Sequence, residues 1–155
     1  MKAINLCKIS LMKIKQLKIK TKNFKDFKKT EWIKIHPKHY GVELEEDYWD
    51  TKHLILEAVE GKKTVGALTG ELMAGVLYIP ELIIADNLRG KGIGTSLLKE
   101  AEKWVRKQGG HEVYLVTGKK WQARDFYKKL GYQVSAEMPK HYSKVDFVLL
   151  RKLLE

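Results

Sequence analysis

The chemistry most legible in this sequence lies in ten residues, Asp86 to Thr95, which read DNLRGKGIGT and set three glycines at alternate positions beside Arg89 and Lys91. An apolar, strand-like run precedes them and a helical pattern follows. That is where the first N–H groups of a helix lack partners. Such a place takes an anion: glycine lets the backbone approach it, the helix dipole favours negative charge, and the two cations add to both. Phosphate fits this set of groups. The plainer reading, a strand-to-helix turn that uses glycine for its φ angles, does not account for three alternate glycines with two cations. Spacing then removes the commonest phosphate loops. G-x-x-x-x-G-K-[ST] is absent, and G-x-G-x-x-G fails because Thr95 stands where its last glycine belongs.

Other chemistry-bearing residues carry less. His36, His39, His53, His111 and His141 show no metal-ligand spacing, so no metal site is expected. Cys7 is the single cysteine, which rules out an internal disulfide and suits a reducing, cytoplasmic setting. No activating histidine lies near it in sequence, so it is a poor nucleophile.

The elements that must hold the loop follow from periodicity. Lys13 to Lys20 alternates imperfectly and reads as an edge strand. A helix is expected from an N-cap at Asn23 to a break at Pro37. Glu43 to Asp50 reads as a short acidic helix or loop. His53 to Val59 and Thr64 to Met73 form a hairpin around Gly61-Lys62-Lys63, and Val76 to Ala85 is a third strand. The period then changes from two to 3.6. Ile93, Leu97, Leu98, Ala101, Trp104 and Val105 share one helix face, and Gly109-Gly110 stops it. A strand at Glu112 to Thr117, a helix at Trp121 to Leu130, and strands near Tyr132 to Met138 and Lys144 to Leu153 complete an α/β chain.

The run Arg89-Gly90-Lys91-Gly92-Ile93-Gly94 resembles the [Q/R]-x-x-G-x-[G/A] signature of the GNAT superfamily of acetyl-coenzyme A-dependent N-acetyltransferases at every defined position. Its setting strengthens the likeness. Leu82-Ile83-Ile84-Ala85-Asp86 precedes it, and Ala123-Arg124-Asp125-Phe126-Tyr127-Lys128-Lys129-Leu130-Gly131-Tyr132 looks like the family's A-x-x-F-Y-x-K-x-G-[FY] stretch. The resemblance spans roughly Lys13 to Leu153. It implies a mixed, mostly antiparallel sheet of about six to seven strands with about four helices, splayed at the motif strand.

It also implies roles. Acetyl-coenzyme A would be the co-substrate, with Arg89, Gly90, Lys91, Gly92, Ile93, Gly94 and Thr95 around its pyrophosphate and the backbone of Leu82 and Ile84 along its pantetheine arm. Tyr127 matches the family's tyrosine and would protonate the departing thiolate. Glu81, opening the motif strand, is the best carboxylate for a base acting through water. Alternation sets it on the face of Ile83 and Ala85, where partial burial would raise its pKa. One position departs from the pattern: Lys120 stands where many members carry an asparagine that contacts the coenzyme.

The acceptor would be an amine. Glu43, Glu45, Glu46, Asp47 and Asp50 lie where the family admits it, with Trp32, Tyr40, Tyr48 and Trp49 as candidate walls and His39 and His141 bordering. The net charge of +11 raises a competing nucleic-acid reading. Residues 1–38 carry twelve lysines against Asp26 and Glu31, a net +10, leaving +1 for the remainder. That segment lacks the arginines and interleaved aromatics of a dedicated reader, so nucleic acid is a disfavoured partner. Residues 1–11 read as a basic extension and 12–155 as the catalytic domain. No run is long and apolar enough for a membrane span, and a homodimer is compatible with the sequence. A coenzyme-binding protein without catalysis is the remaining alternative.

Overall fold

A computed structural model describes residues 19–41 and 48–154, in two compact units, one within residues 1–45 and the other within 46–155. The expected edge strand at Lys13 to Lys20 lies mostly outside the described residues, as do most of the acidic segment and the basic extension. Ile19 and Lys20, which are described, form no strand.

The first unit contributes helix α1, Lys22–Tyr40. Its cap is Thr21 rather than Asn23: the Thr21 hydroxyl accepts the Phe24 N–H at 3.3 Å. Pro37 does not end the helix. A proline there removes one ladder donor three residues before the end, and Gly41, at φ 71°, closes the helix with its N–H on the Pro37 carbonyl at 2.9 Å. Side chains at i and i+4 help hold it, with the Trp32 ring tilted against His36 at 4.8 Å and His36 edge-on to Tyr40 at 5.8 Å.

The second unit is a six-stranded sheet. Strands β1 (Lys52–Glu60), β2 (Lys63–Met73) and β3 (Val76–Ile84) form an antiparallel meander. Helix α2 (Ile93–Lys107) leads to β4 (Glu112–Gly118), and helix α3 (Gln122–Lys129) leads to β5 (Gln133–Met138) and β6 (Phe147–Leu153). The order is β1-β2-β3-β4-β6-β5, and β3 with β4 is the single parallel pair among the described residues. The expected sheet class holds, with three helices among the described residues instead of about four.

One face of the sheet is covered by α2 and α3. Leu68, Leu77, Ile79, Leu97, Leu98, Ala101, Val105, Leu115 and Leu150 form its core. Gly66 lets α2 settle closely: a Cβ there would meet Ile84 at 2.9 Å and Ile93 at 3.0 Å. A side chain at Gly66 would force the Ile84 and Ile93 side chains to shift.

Strict alternation fails within β3. Leu77 and Ile79 point into the core, yet the next core-facing residues are Leu82 and Ile84. Thr69 pairs with Glu81 and Glu71 with Tyr78, so three steps on β3 oppose two on β2. This is a β-bulge around Pro80, and it reverses which parity faces the helices. Glu81 shares a face with Ile83, as expected, but that face is open. Ile83 is 63% exposed.

Candidate active site

The bulge coincides with a fork. β3 and β4 pair from Val76 with Glu112 to Ile79 with Leu115, and no further. Beyond that, β3 stays on β2 through Ile84 and β4 stays on β6 through Gly118. Pro80 supplies no N–H, so a ladder stops there at little cost. The inner edges, Glu81 to Ile84 on one side and Val116 to Gly118 on the other, face a gap with no strand between them among the described residues.

At its wide end the gap meets the glycine run. A 3₁₀ turn, Asp86–Leu88, brings the chain to Arg89, Gly90 has φ 76°, and Gly92 caps α2 at φ 85°. The first ladder bond of α2 runs from the Ser96 N–H to the Gly92 carbonyl at 3.0 Å, so the amides of Ile93, Gly94 and Thr95 precede it. A Cβ on Gly90 or Gly92 would meet nothing within 4 Å. Open space therefore borders the donors, and their dipole is uncompensated, since the first turn holds no acid. Lys91 is exposed beside them. Arg89 turns back instead, its guanidinium 3.2 Å from the Asp86 carboxylate and its Nε donating to the Ile84 carbonyl at 3.5 Å.

The structure brings the two motif segments together. A Cβ on Gly94 would lie 3.2 Å from the Phe126 ring, and that ring packs against Tyr127 at 5.1 Å. Tyr127 is 8% exposed in the covered core with Ile79 and Leu115, the last residues before the fork. Burial alone pushes its phenol up to about 12. Tyr132 is pushed up as well, first by burial and then by the Glu102 carboxylate.

These shifts have a stability consequence. Between pH 10 and 12 the unfolded chain gives up the Tyr127 proton while the folded chain keeps it. The stabilisation is complete below pH 10 and disappears as pH rises through that window, about 3 kcal/mol for a shift of this size. Urea midpoints at pH 9, 10, 11 and 12 are expected to fall more steeply for the native chain than for Tyr127→Phe. Parallel curves would contradict the burial of this phenol.

Glu81 occupies the other face. It is exposed rather than partly buried, a correction that follows from the bulge, and the Thr69 hydroxyl donates to its carboxylate at 3.1 Å. Near it on the open face stand residues the sequence reading passed over. Tyr78 and Tyr114 are half-buried and stack at 5.0 Å where the fork begins. Burial raises the Tyr78 phenol, followed by the Tyr142 hydroxyl beside it. Tyr142 in turn packs on His141 at 4.2 Å and Phe147 at 5.2 Å. The available signal was positional: Tyr78 lies two residues before the proline of the motif strand.

The other candidates are dispersed. Lys120 is exposed in the turn before α3, next to Lys119, which pairs with Glu137 at 2.7 Å. His111 is a loop residue packed on Gly75, and His39, Trp32 and Tyr40 belong to α1. Glu43, Glu45, Glu46 and Asp47 lie outside the described residues. Among the described residues no group of His, Cys, Asp or Glu is placed to hold a metal, and no helix is long and apolar enough to cross a membrane.

Comparison with known proteins bears on this arrangement. Residues 21–132 match the Acetyltransferase (GNAT) family model. Blasticidin-S acetyltransferase of Streptomyces morookaense is 30% identical over 95 residues, 61% of this chain and 70% of that protein. An acetyltransferase structure from Bacillus cereus superposes with a TM-score of 0.66 at 23% identity, over 90% of this chain and 98% of that one. An aminoglycoside 6'-N-acetyltransferase complexed with coenzyme A gives 0.62 at 18% identity, over 93% and 98%. The fork, the glycine-led helix and the matched residues agree: the chain belongs to the GNAT family of acetyltransferases, enzymes that draw their acetyl group from acetyl-coenzyme A.

Proposed function

We propose that the acetyl group passes directly to a primary amine in a ternary complex, with the fork between β3 and β4 as the place of transfer. The observation that carries this reading is the fork itself. It joins the amides that precede the first ladder bond of α2 to a gap with Tyr127 on one face and Glu81 on the other.

In this reading the amides of Ile93, Gly94 and Thr95 hold the pyrophosphate, with Gly90 and Gly92 leaving room, and Arg89 and Lys91 add charge. The free edge at Leu82 and Ile84 pairs with the amides of the pantetheine arm as an added strand would. The amine nitrogen attacks the thioester carbonyl, the carbon–sulfur bond breaks, and an amide and the free thiol result. Water carries the surplus proton of the amine to Glu81, whose exposure leaves it within reach of solvent. Tyr127 donates a hydrogen bond to the departing sulfur. With the phenol pushed to about 12, full transfer to a thiolate runs uphill, so its proton stays on oxygen while the charge is stabilised. Solvent supplies the proton that completes the thiol.

The open face suits a cationic acceptor. The tyrosine rings of Tyr78, Tyr114 and Tyr142 and the carboxylates of Glu71 and Glu81 all attract an ammonium group. A panel of blasticidin S, an aminoglycoside, a linear diamine and a peptide with a free N-terminal alanine, assayed with acetyl-coenzyme A for released thiol, tests the reading. Amine-dependent thiol release matched by acetylated product is expected. Calorimetric coenzyme binding without release across the panel would instead leave a binding protein.

A further inference from the structure

The covered face holds a half-buried ion pair that the proposed chemistry does not use. Glu102 on α2 is 6% exposed, and both of its carboxylate oxygens lie 2.9 Å from the Lys152 ammonium on β6. The Tyr132 hydroxyl donates to the same carboxylate at 3.1 Å, and Lys152 sits 5.6 Å from the centre of the Tyr132 ring. Three segments meet here: the helix that opens with the glycine run, the turn that leads from α3 to β5, and the strand beside β4. A half-buried pair of this kind is weak evidence for stability, because the partial loss of water around its charges offsets much of their attraction. Apolar side chains would fill the same volume. What the pair supplies is direction, since a carboxylate fixed by an ammonium gives the Tyr132 hydroxyl one place to donate.

Tyr132 passes that direction to Tyr127. Its N–H donates to the Tyr127 carbonyl at 3.1 Å, and its ring meets the Tyr127 ring at 5.8 Å and 64°. Among the described residues no hydrogen bond holds the Tyr127 hydroxyl, so its ring is placed by packing against Phe126 and Tyr132. One of these neighbours is itself anchored.

We propose that Glu102, Lys152 and Tyr132 are positioning residues that aim the Tyr127 hydroxyl at the reacting sulfur. The inference rests on the role proposed for Tyr127. It predicts an effect on kcat without one on coenzyme affinity, because the cluster lies behind the tyrosine and away from the amides of α2.

A double-mutant cycle separates positioning from packing. Tyr132→Phe keeps the ring and leaves the ion pair intact, so the fold survives. It is expected to lower kcat about tenfold on the fastest amine of the panel, consistent with the cost of a small misplacement of a reacting group. The calorimetric Kd for coenzyme A should stay within twofold. In a Tyr127→Phe background the same change should lower kcat no further, since nothing remains to be aimed. The pair Glu102→Leu with Lys152→Met, which removes both charges together, is expected to behave alike. An equal loss in both backgrounds, or no loss while Tyr127 is present, would overturn the positioning role. If Tyr127→Phe itself left kcat unchanged, the assignment of Tyr127 would be at fault, and this inference would fall with it.

Discussion

Tyr127→Phe is expected to lower kcat about a hundredfold while leaving the coenzyme A affinity unchanged, the size of effect common for removal of one positioned donor. Structure gives this variant an unusually clean reading. The ring is packed on both sides, by Phe126 and Tyr132, and phenylalanine keeps those contacts. No hydrogen bond among the described residues is lost with the hydroxyl, so stability at neutral pH should change little. A fall in kcat thus reports chemistry and not unfolding. A fall in affinity with kcat preserved would place Tyr127 in binding instead. Substitution of Glu81 by glutamine complements it. If Glu81 receives the amine's proton, the loss should be largest at low pH and shrink as more of the amine is already neutral.

Gly92→Val is expected to weaken acetyl-coenzyme A binding by at least tenfold, or about 1.4 kcal/mol. The argument turns on where the new atoms would go. At φ 85° a β-branched residue is strained, which costs of order 1–3 kcal/mol in folding. Its Cβ meets no protein atom within 4 Å, so the side chain projects into the space before the amides of Ile93, Gly94 and Thr95. Glycine is needed here twice, for the turn and for the approach of the phosphate. Gly41→Val is the control. It carries the same kind of strain at φ 71° and sits outside the glycine loop, so it should lower stability and leave the calorimetric Kd alone. Equal affinity for the native chain and Gly92→Val would remove the pyrophosphate from this loop.

The parts of the site that a sequence shows well are those built from consecutive residues. Helix α2 was legible because its apolar residues repeat every three or four positions, and Gly92 because it belongs to a run of three alternate glycines beside two cations. Tyr127 was legible through the residues around it. The parts that failed depend on distant neighbours. Period two placed Glu81 in a partly buried strand, but the bulge that exposes it exists only through the register of β3 against β2, with Pro80 as a local hint. Tyr78 and Tyr114 are 36 positions apart and meet because the parallel pairing aligns them. Glu102 and Lys152 are separated by 50 positions, and no local pattern links them. Pro37 failed for a different reason: one lost donor near a helix end is a small term beside a good cap.

The bulge at Pro80 also restricts which lengths of β3 are workable. In a regular strand, residues three apart face opposite ways, whereas here Tyr78 and Glu81 share the open face. Deleting a single residue at that point would turn Leu82 and Ile84 outward and Glu81 inward, moving the carboxylate into the packing beneath α2. Apart from Glu81, side chains on the open face of this strand are therefore free to vary with the acceptor, while the number of residues is not. Length is a constraint on this segment in its own right, separate from the identity of its core residues.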